Sequence, residues 1–113
     1  MKRLKIQEIY SAAVLFAEKK GLVPDGHQDP DNPRHWMEAP VKPGYGKSLE
    51  ILIGRSEGAD INFYNYVDGT NRGFHITFRK GVPVEFKLRS FKAGQEDLDL
   101  FLQILYKKSD VPE

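Results

Sequence analysis

The hydrophobic residues of the chain repeat with two different periods, which separate helical from extended segments. Apolar residues recur every three or four positions from about residue 3 to residue 20, and Gly21 follows as a C-cap. The helical period returns over residues 95–108, with acidic residues near the start and lysines near the end, as the helix dipole favours. The sequence therefore predicts one amphipathic helix near each end of the chain.

Between residues 48 and 92 apolar and polar residues alternate in four runs, a pattern typical of strands with one buried face. The connections are short, and the tightest is Lys80-Gly81, so antiparallel hairpins are predicted. Together these elements predict an α+β, two-layer sandwich: a four-stranded antiparallel meander with an N-terminal and a C-terminal helix on one face, in the order α-β-β-β-β-α. The predicted core contains nine large residues: Phe16, Ile51, Phe63, Phe74, Ile76, Phe78, Phe86, Leu88 and Phe101.

Residues 22–47 carry five of the seven prolines, a density that excludes a long regular element. The segment is therefore predicted to be one long loop, and connections of this length usually have a function. Trp36, in otherwise polar surroundings, is a candidate anchor for a protein partner. No metal site is predicted, because the donors of this loop match no ligand spacing and suit ordinary turns: His27, Asp29, Asp31 and His35.

Length and composition narrow the class of protein. A chain of 113 residues that is 40% hydrophobic is predicted to form a single domain over residues 1–113. The absence of cysteine excludes disulfides, a thiol nucleophile and a zinc site built on sulfur. The apolar run Ala12 to Ala17 is too short to cross a bilayer, so a cytoplasmic protein without membrane contact is expected.

The strand residues that alternate with the core define a second sheet face, which mixes aromatic and charged side chains. Residues 72–92 contain six basic residues and one acid, although the net charge of the whole chain is only +1. Tyrosines that stack on bases beside cations that bind phosphates are typical of single-strand binders. The first hypothesis is a small nucleic-acid-binding domain, with single strands or RNA preferred, that uses Tyr64, Tyr66, His75, Arg79, Lys87, Arg89 and Lys92.

Two other functions fit the same residues. The long loop with Trp36 and the tyrosine face also suit a protein-interaction module, of the inhibitor or immunity type or forming a homodimer. Asp60 and the Glu85-Phe86-Lys87 segment resemble the Asp…Glu-x-Lys signature of restriction-type nucleases over these three positions. That resemblance implies Mg²⁺ as the one cofactor, with Asp60, Glu85 and Lys87 as catalytic residues. An exposed strand face that is merely solvated has a similar composition.

Overall fold

The structure is a computed structural model that describes residues 3–24, 34–37, 43–54, 58–88 and 91–109. In chain order the described elements are α1 (Ile6–Lys19), β1 (Val23–Pro24), β2 (Arg34–Met37), β3 (Gly46–Ile53), β4 (Ala59–Val67), β5 (Thr70–Asn71), β6 (Phe74–Arg79), β7 (Val82–Leu88) and α2 (Phe91–Ser109). The predicted α+β class is confirmed: two helices accompany an antiparallel sheet. None of the helices in these ranges has the length and apolar character needed to cross a membrane.

All seven strands belong to one sheet in the order β1-β2-β3-β4-β6-β7, and β5 pairs with β4. The central meander β3-β4-β6-β7 corresponds to the four predicted strands. β1 and β2 lie within the segment that was predicted to be a loop throughout. β2 pairs with β3 over Arg34 to Met37, so these four residues take their hydrogen bonds from a neighbouring strand. Four residues are too few to show a period in the sequence, and the prolines on either side obscure it.

The core lies between the two helices and one face of the sheet. α1 packs on β3 and β4, α2 packs on β6 and β7, and the helices contact each other. Phe16 of α1 is completely buried and meets three other phenylalanine rings nearly edge-on. Edge-to-face contacts suit the quadrupoles of aromatic rings, so this cluster joins both helices to the sheet. The ring centroids lie 5.0 Å from Phe63, 5.7 Å from Phe74 and 5.9 Å from Phe101.

An ion pair holds the two helices together at one end of this core. Lys20, which follows the last residue of α1, pairs with Asp97 of α2. Asp97 is the one charged residue that is buried among the described side chains, so it needs this partner. The Lys20 ammonium also lies 5.9 Å from the centre of the Phe16 ring, where the face of the ring attracts a cation.

The predicted core is correct except on β7, the strand at one edge of the sheet. Phe86 pairs with buried Ile76 and so lies on the helix side, yet 46% of its surface is exposed. Leu88 is half-buried. The placement of Phe86 in the core was wrong because alternation fixes the side of the sheet, whereas burial also needs a helix above the residue. α2 reaches only part of this edge.

A β-bulge in β7 also changes the side of the sheet that one of its apolar residues faces. Thr77 pairs with Glu85 while the next residue, Phe78, pairs with Pro83, so Val84 is an extra residue. An extra residue shifts the alternation by one. Val82 consequently pairs with Arg79 on the side away from the helices, although in the sequence it is spaced by two from Val84, Phe86 and Leu88. Alternation along one strand cannot show an insertion relative to its neighbour.

Candidate binding face of the sheet

The side of the sheet away from the helices is the candidate functional surface, here called the open face. Every described element other than the two helices belongs to the sheet, and both helices pack on the opposite side. Two rows of residues cross the open face in register. Glu50, Asn62, His75 and Lys87 form the first row, and Leu52, Asp60, Thr77 and Glu85 form the second. Tyr64, Tyr66 and Arg79 extend the open face along the strands.

A hydrogen-bonded cluster of three side chains lies at the centre of the open face. The Thr77 hydroxyl donates to Oδ1 of Asp60 over 2.7 Å. Nε2 of His75 lies 2.9 Å from the Thr77 oxygen and 3.1 Å from the same Asp60 oxygen. Because the single hydroxyl proton of Thr77 already points to Asp60, its oxygen accepts from His75, and Nε2 therefore carries a proton in this arrangement.

The chemistry of this cluster is that of a structural link. A threonine nucleophile needs a neighbouring base that can take its proton. Here the histidine nitrogen that faces Thr77 is a donor, and the hydroxyl proton is held by a carboxylate. The three side chains therefore connect β4 with β6 and fix the direction of His75, rather than forming a relay for acyl transfer.

Further polar contacts hold the flanking charges in place. Nδ2 of Asn62 donates to Oε1 of Glu50 over 3.2 Å, which links β4 to β3. On β7, the Lys87 ammonium lies 3.3 Å from Oε1 of Glu85, two residues away on the same strand. Both Lys87 and Glu85 are largely exposed, so this ion pair is weak and its members can change partner.

A cleft of about 320 Å³ opens at one end of the second row. Asp60 and Thr77 line its inner side, and Arg79 and Lys80 contribute cations to it. Its volume is at the lower end for small-molecule sites, and it is open to solvent. A cleft of this size accommodates one or two side chains of a partner, and the two cations favour an acidic one.

The residues predicted to bind nucleic acid are only partly brought together. Tyr64, Tyr66, His75, Arg79 and Lys87 share the open face. Lys92 does not stand on a strand, because α2 begins at Phe91 and Lys92 belongs to its first turn. Arg89 lies outside the described residues.

The basic excess of residues 72–92 is therefore not concentrated on the open face. Of the six cations, Arg79 and Lys87 are placed on its strands and Lys80 lines the cleft at its end. The strands also contribute the carboxylates of Glu50, Asp60 and Glu85. A face with three cations, a histidine and three acids has no strong positive field. Charges of both signs are mixed across its strands.

The nuclease motif is not assembled into a shared metal site. Asp60 and Glu85 pair with opposite sides of Thr77, so one whole strand separates them. Two strand spacings amount to about 10 Å, whereas Mg²⁺ binds oxygen at about 2 Å. Asp60 is also occupied by Thr77 and His75. Within the described residues, no three side chains of histidine, aspartate or glutamate are grouped as metal ligands would be.

The other predicted site residues lie in the segment between α1 and β3. Trp36 is part of β2, where its backbone pairs with Leu49 of β3, so it belongs to a strand and not to an irregular loop. His35 pairs with Glu50 in the same ladder. His27, Asp29 and Asp31 lie outside the described residues. The sequence did not indicate the Asp60–His75–Thr77 cluster, since it depends on the register of two strands.

No family model matches the sequence, and neither a curated protein nor a solved structure shows significant similarity to it. The function of this chain must therefore be argued from its own geometry.

Proposed function

We propose that the open face binds a partner protein, and that this interaction is the function of the chain. The observation that carries the proposal is the mixture of acidic and basic side chains on a sheet face that neither helix covers. Acids on β3, β4 and β7 share this face with cations on β6 and β7. Such a face offers complementary pairs to another protein, which carries charges of both signs, whereas it would repel part of a polyanion.

Exposed apolar surface on the same face supports this proposal. Leu52 and Tyr66 are each 40% exposed, and they lie on β3 and β4 with polar residues around them. Partly exposed tyrosines and leucines within a polar rim are typical of protein interfaces, where aromatic residues are enriched. The cleft beside Arg79 adds a recess for one acidic side chain. The expected partner surface therefore presents a carboxylate next to apolar residues.

The experiment is affinity capture from an extract of the source cells with the full-length chain and three variants. Arg79→Glu reverses the charge at the cleft, and Leu52→Ala removes exposed apolar surface from the open face. Lys19→Glu is the matched control, because Lys19 is an exposed lysine on α1, in the other layer. Nuclease treatment of the extract removes partners that are held only through nucleic acid.

A protein that is retained by the wild type and by Lys19→Glu, but lost with both Arg79→Glu and Leu52→Ala, is the expected result. Loss of apolar contact is expected to matter because interfaces depend on a few well-buried side chains. Equal recovery with all four proteins would contradict the proposal, and so would the absence of any retained protein. Circular dichroism of each variant confirms that the fold is intact.

Binding of single-stranded nucleic acid is the second candidate, and the shared face of Tyr64 and Tyr66 favours it. Stacking on tyrosine is tolerant of sequence and would operate beside Arg79 and Lys87. Two phosphate contacts would give a salt dependence of only about −1.4 in log–log slope, so binding would be weak. A titration with oligo(dT) and oligo(U) at about 50 mM salt tests it. Saturable binding that Leu52→Ala leaves unchanged and Tyr66→Ala weakens would favour nucleic acid over protein.

A further inference from the structure

The edge strand β7 has exposed apolar residues that belong neither to the buried core nor to the open face. Its middle residues, Val84 to Lys87, are all exposed. Val84 is 53% exposed and Phe86 is 46% exposed, although Phe86 stands on the helix side of the sheet. Among the described strands, β7 pairs with β6 alone, and it is the last strand in the order of the sheet. Exposed edge strands of this kind are templates for pairing with another strand.

We propose that β7 pairs antiparallel with β7 of a second copy of this chain, with Phe86 opposite Phe86 of that copy. This register sets Glu85 opposite Lys87 of the second copy, and Lys87 opposite Glu85. Val84 then lies opposite Leu88. A two-fold axis through the Phe86 pair generates all of these contacts, because a symmetric pair of identical strands repeats each contact once.

The charges of Glu85 and Lys87 select this register and this occupant. A shift that centres the axis on Glu85 sets two glutamates opposite each other, and a shift that centres it on Lys87 does the same to two lysines. Like charges directly opposite each other destabilise a strand pair, and opposite charges stabilise it. Among these three registers only the one centred on Phe86 pairs each Glu85 with a lysine. The strand is therefore complementary to itself.

The same register also brings the exposed apolar residues of the two β7 strands together. Phe86 and Leu88 lie on the helix side beyond the bulge, where Phe86 is opposite Ile76 and Leu88 is opposite Phe74 in the register with β6, and Val84 is the bulge residue that precedes them. A two-fold axis perpendicular to the sheet keeps the helical layers of both copies on one side. The six side chains from two copies then form one strip beside α2 of each copy, which already packs on β7. Pro83 lacks an N–H, so it limits the ladder to residues 84–88.

Exchanging the charges of Glu85 and Lys87 in the full chain tests the proposed β7–β7 register. Analytical ultracentrifugation over a concentration series gives the dissociation constant of the dimer. Glu85→Lys creates two lysine pairs and is expected to raise that constant by roughly tenfold or more, since both symmetry-related contacts change sign. Lys87→Glu is expected to do the same, and the double exchange Glu85→Lys/Lys87→Glu restores dimerisation. Glu96→Lys, an exposed change of the same sign on α2, is the control and leaves the constant unchanged.

Cysteine cross-linking provides a second measurement, because the native chain has no cysteine. In the proposed register Phe86→Cys faces itself across the two-fold axis at a Cα separation of about 4.5–5.5 Å, which a disulfide spans. Val84→Cys is the matched control: it is equally exposed, but it faces Leu88, so the two cysteines lie about 13 Å apart along the strands. Rapid cross-linking is expected for Phe86→Cys alone.

Several results would overturn the inference. A monomer at every concentration would exclude the second copy as the occupant of β7. A dimer that the double exchange fails to restore, or cysteines at 84 and 86 that cross-link equally fast, would exclude the register. The capture experiment for the open face uses residues of β3 and β6, so its outcome is independent of this one.

Discussion

Two phenylalanines on the helix side of the sheet should respond very differently to the same substitution. Phe16 is completely buried among three other rings, whereas Phe86 is 46% exposed at the edge of the sheet. Removing a fully buried phenylalanine costs about 3–5 kcal/mol, since it loses burial and leaves a cavity. Phe86→Ala loses about half of the burial and leaves no enclosed cavity, so we expect about 1 kcal/mol.

These magnitudes matter against the stability of the whole domain. The free energy of unfolding of a chain of 113 residues is typically about 6–17 kcal/mol. Phe16→Ala can therefore remove a quarter or more of the free energy of unfolding, and the cluster that joins both helices to the sheet loses its central ring. Phe16→Leu keeps most of the volume and is expected to cost less than about 1.5 kcal/mol.

Urea unfolding followed by circular dichroism measures the difference, at protein concentrations low enough to keep the chain monomeric. For a slope of about 2 kcal/mol per molar urea, the midpoint should fall by about 2 M for Phe16→Ala and about 0.5 M for Phe86→Ala. Equal losses for the two variants would refute the assignment of Phe86 to an uncovered edge. They would mean that a helix or another segment shields β7 in solution.

Two further predictions concern a close backbone approach and a titrating tyrosine. Gly73→Ala should destabilise the fold by about 1–3 kcal/mol or more, because a Cβ there would come within 1.7 Å of the Phe63 carbonyl oxygen; Gly54→Ala, with its nearest atom at 3.7 Å, is the control in the same urea assay. The Tyr45 hydroxyl donates to the Asp68 carboxylate, which raises the pKa of Tyr45 above its usual value of 10.0, since ionisation would break this bond beside a negative charge. Asp68→Asn should lower that pKa in a ¹³C NMR titration, and an unchanged value would refute the assignment.

The helices and the central strands could be predicted because their signals are local and repeat several times. Alternation over β4 placed Phe63 in the core, and the Lys80-Gly81 turn was recognisable from its residues. Both residues of that turn have positive φ, at 53° and 76°, as a two-residue hairpin requires. Short elements gave no such signal, and the four residues of β2 become a strand only because β3 provides partners.

The edge strand shows a different limit of sequence analysis. The spacing of Val82, Val84, Phe86 and Leu88 indicates one apolar face, but the bulge moves Val82 to the other side. A bulge is a property of two strands together, so it leaves no mark on the alternation of either strand alone. Coverage by a helix is likewise a tertiary property. The bulge and the incomplete helix coverage both concern β7, and together they explain why this strand is an exposed edge although its sequence predicts a core strand.

The charge of the open face differs from the charge counted along the sequence, and the pairing of the strands is the reason. Counting charges along residues 72–92 gives a basic segment, but a partner meets the residues that lie side by side across the strands. Strand pairing places Asp60 of β4 next to Thr77 of β6 and sets Glu50 of β3 in the same row as His75, with Asn62 between them. Glu85 and Lys87 lie beside each other along β7. Arg79 and Lys87 therefore share the open face with acids of β3 and β4 that lie far from them in the sequence. The sign of a surface is set by strand order and register, and here that order favours a partner with charges of both signs over a polyanion.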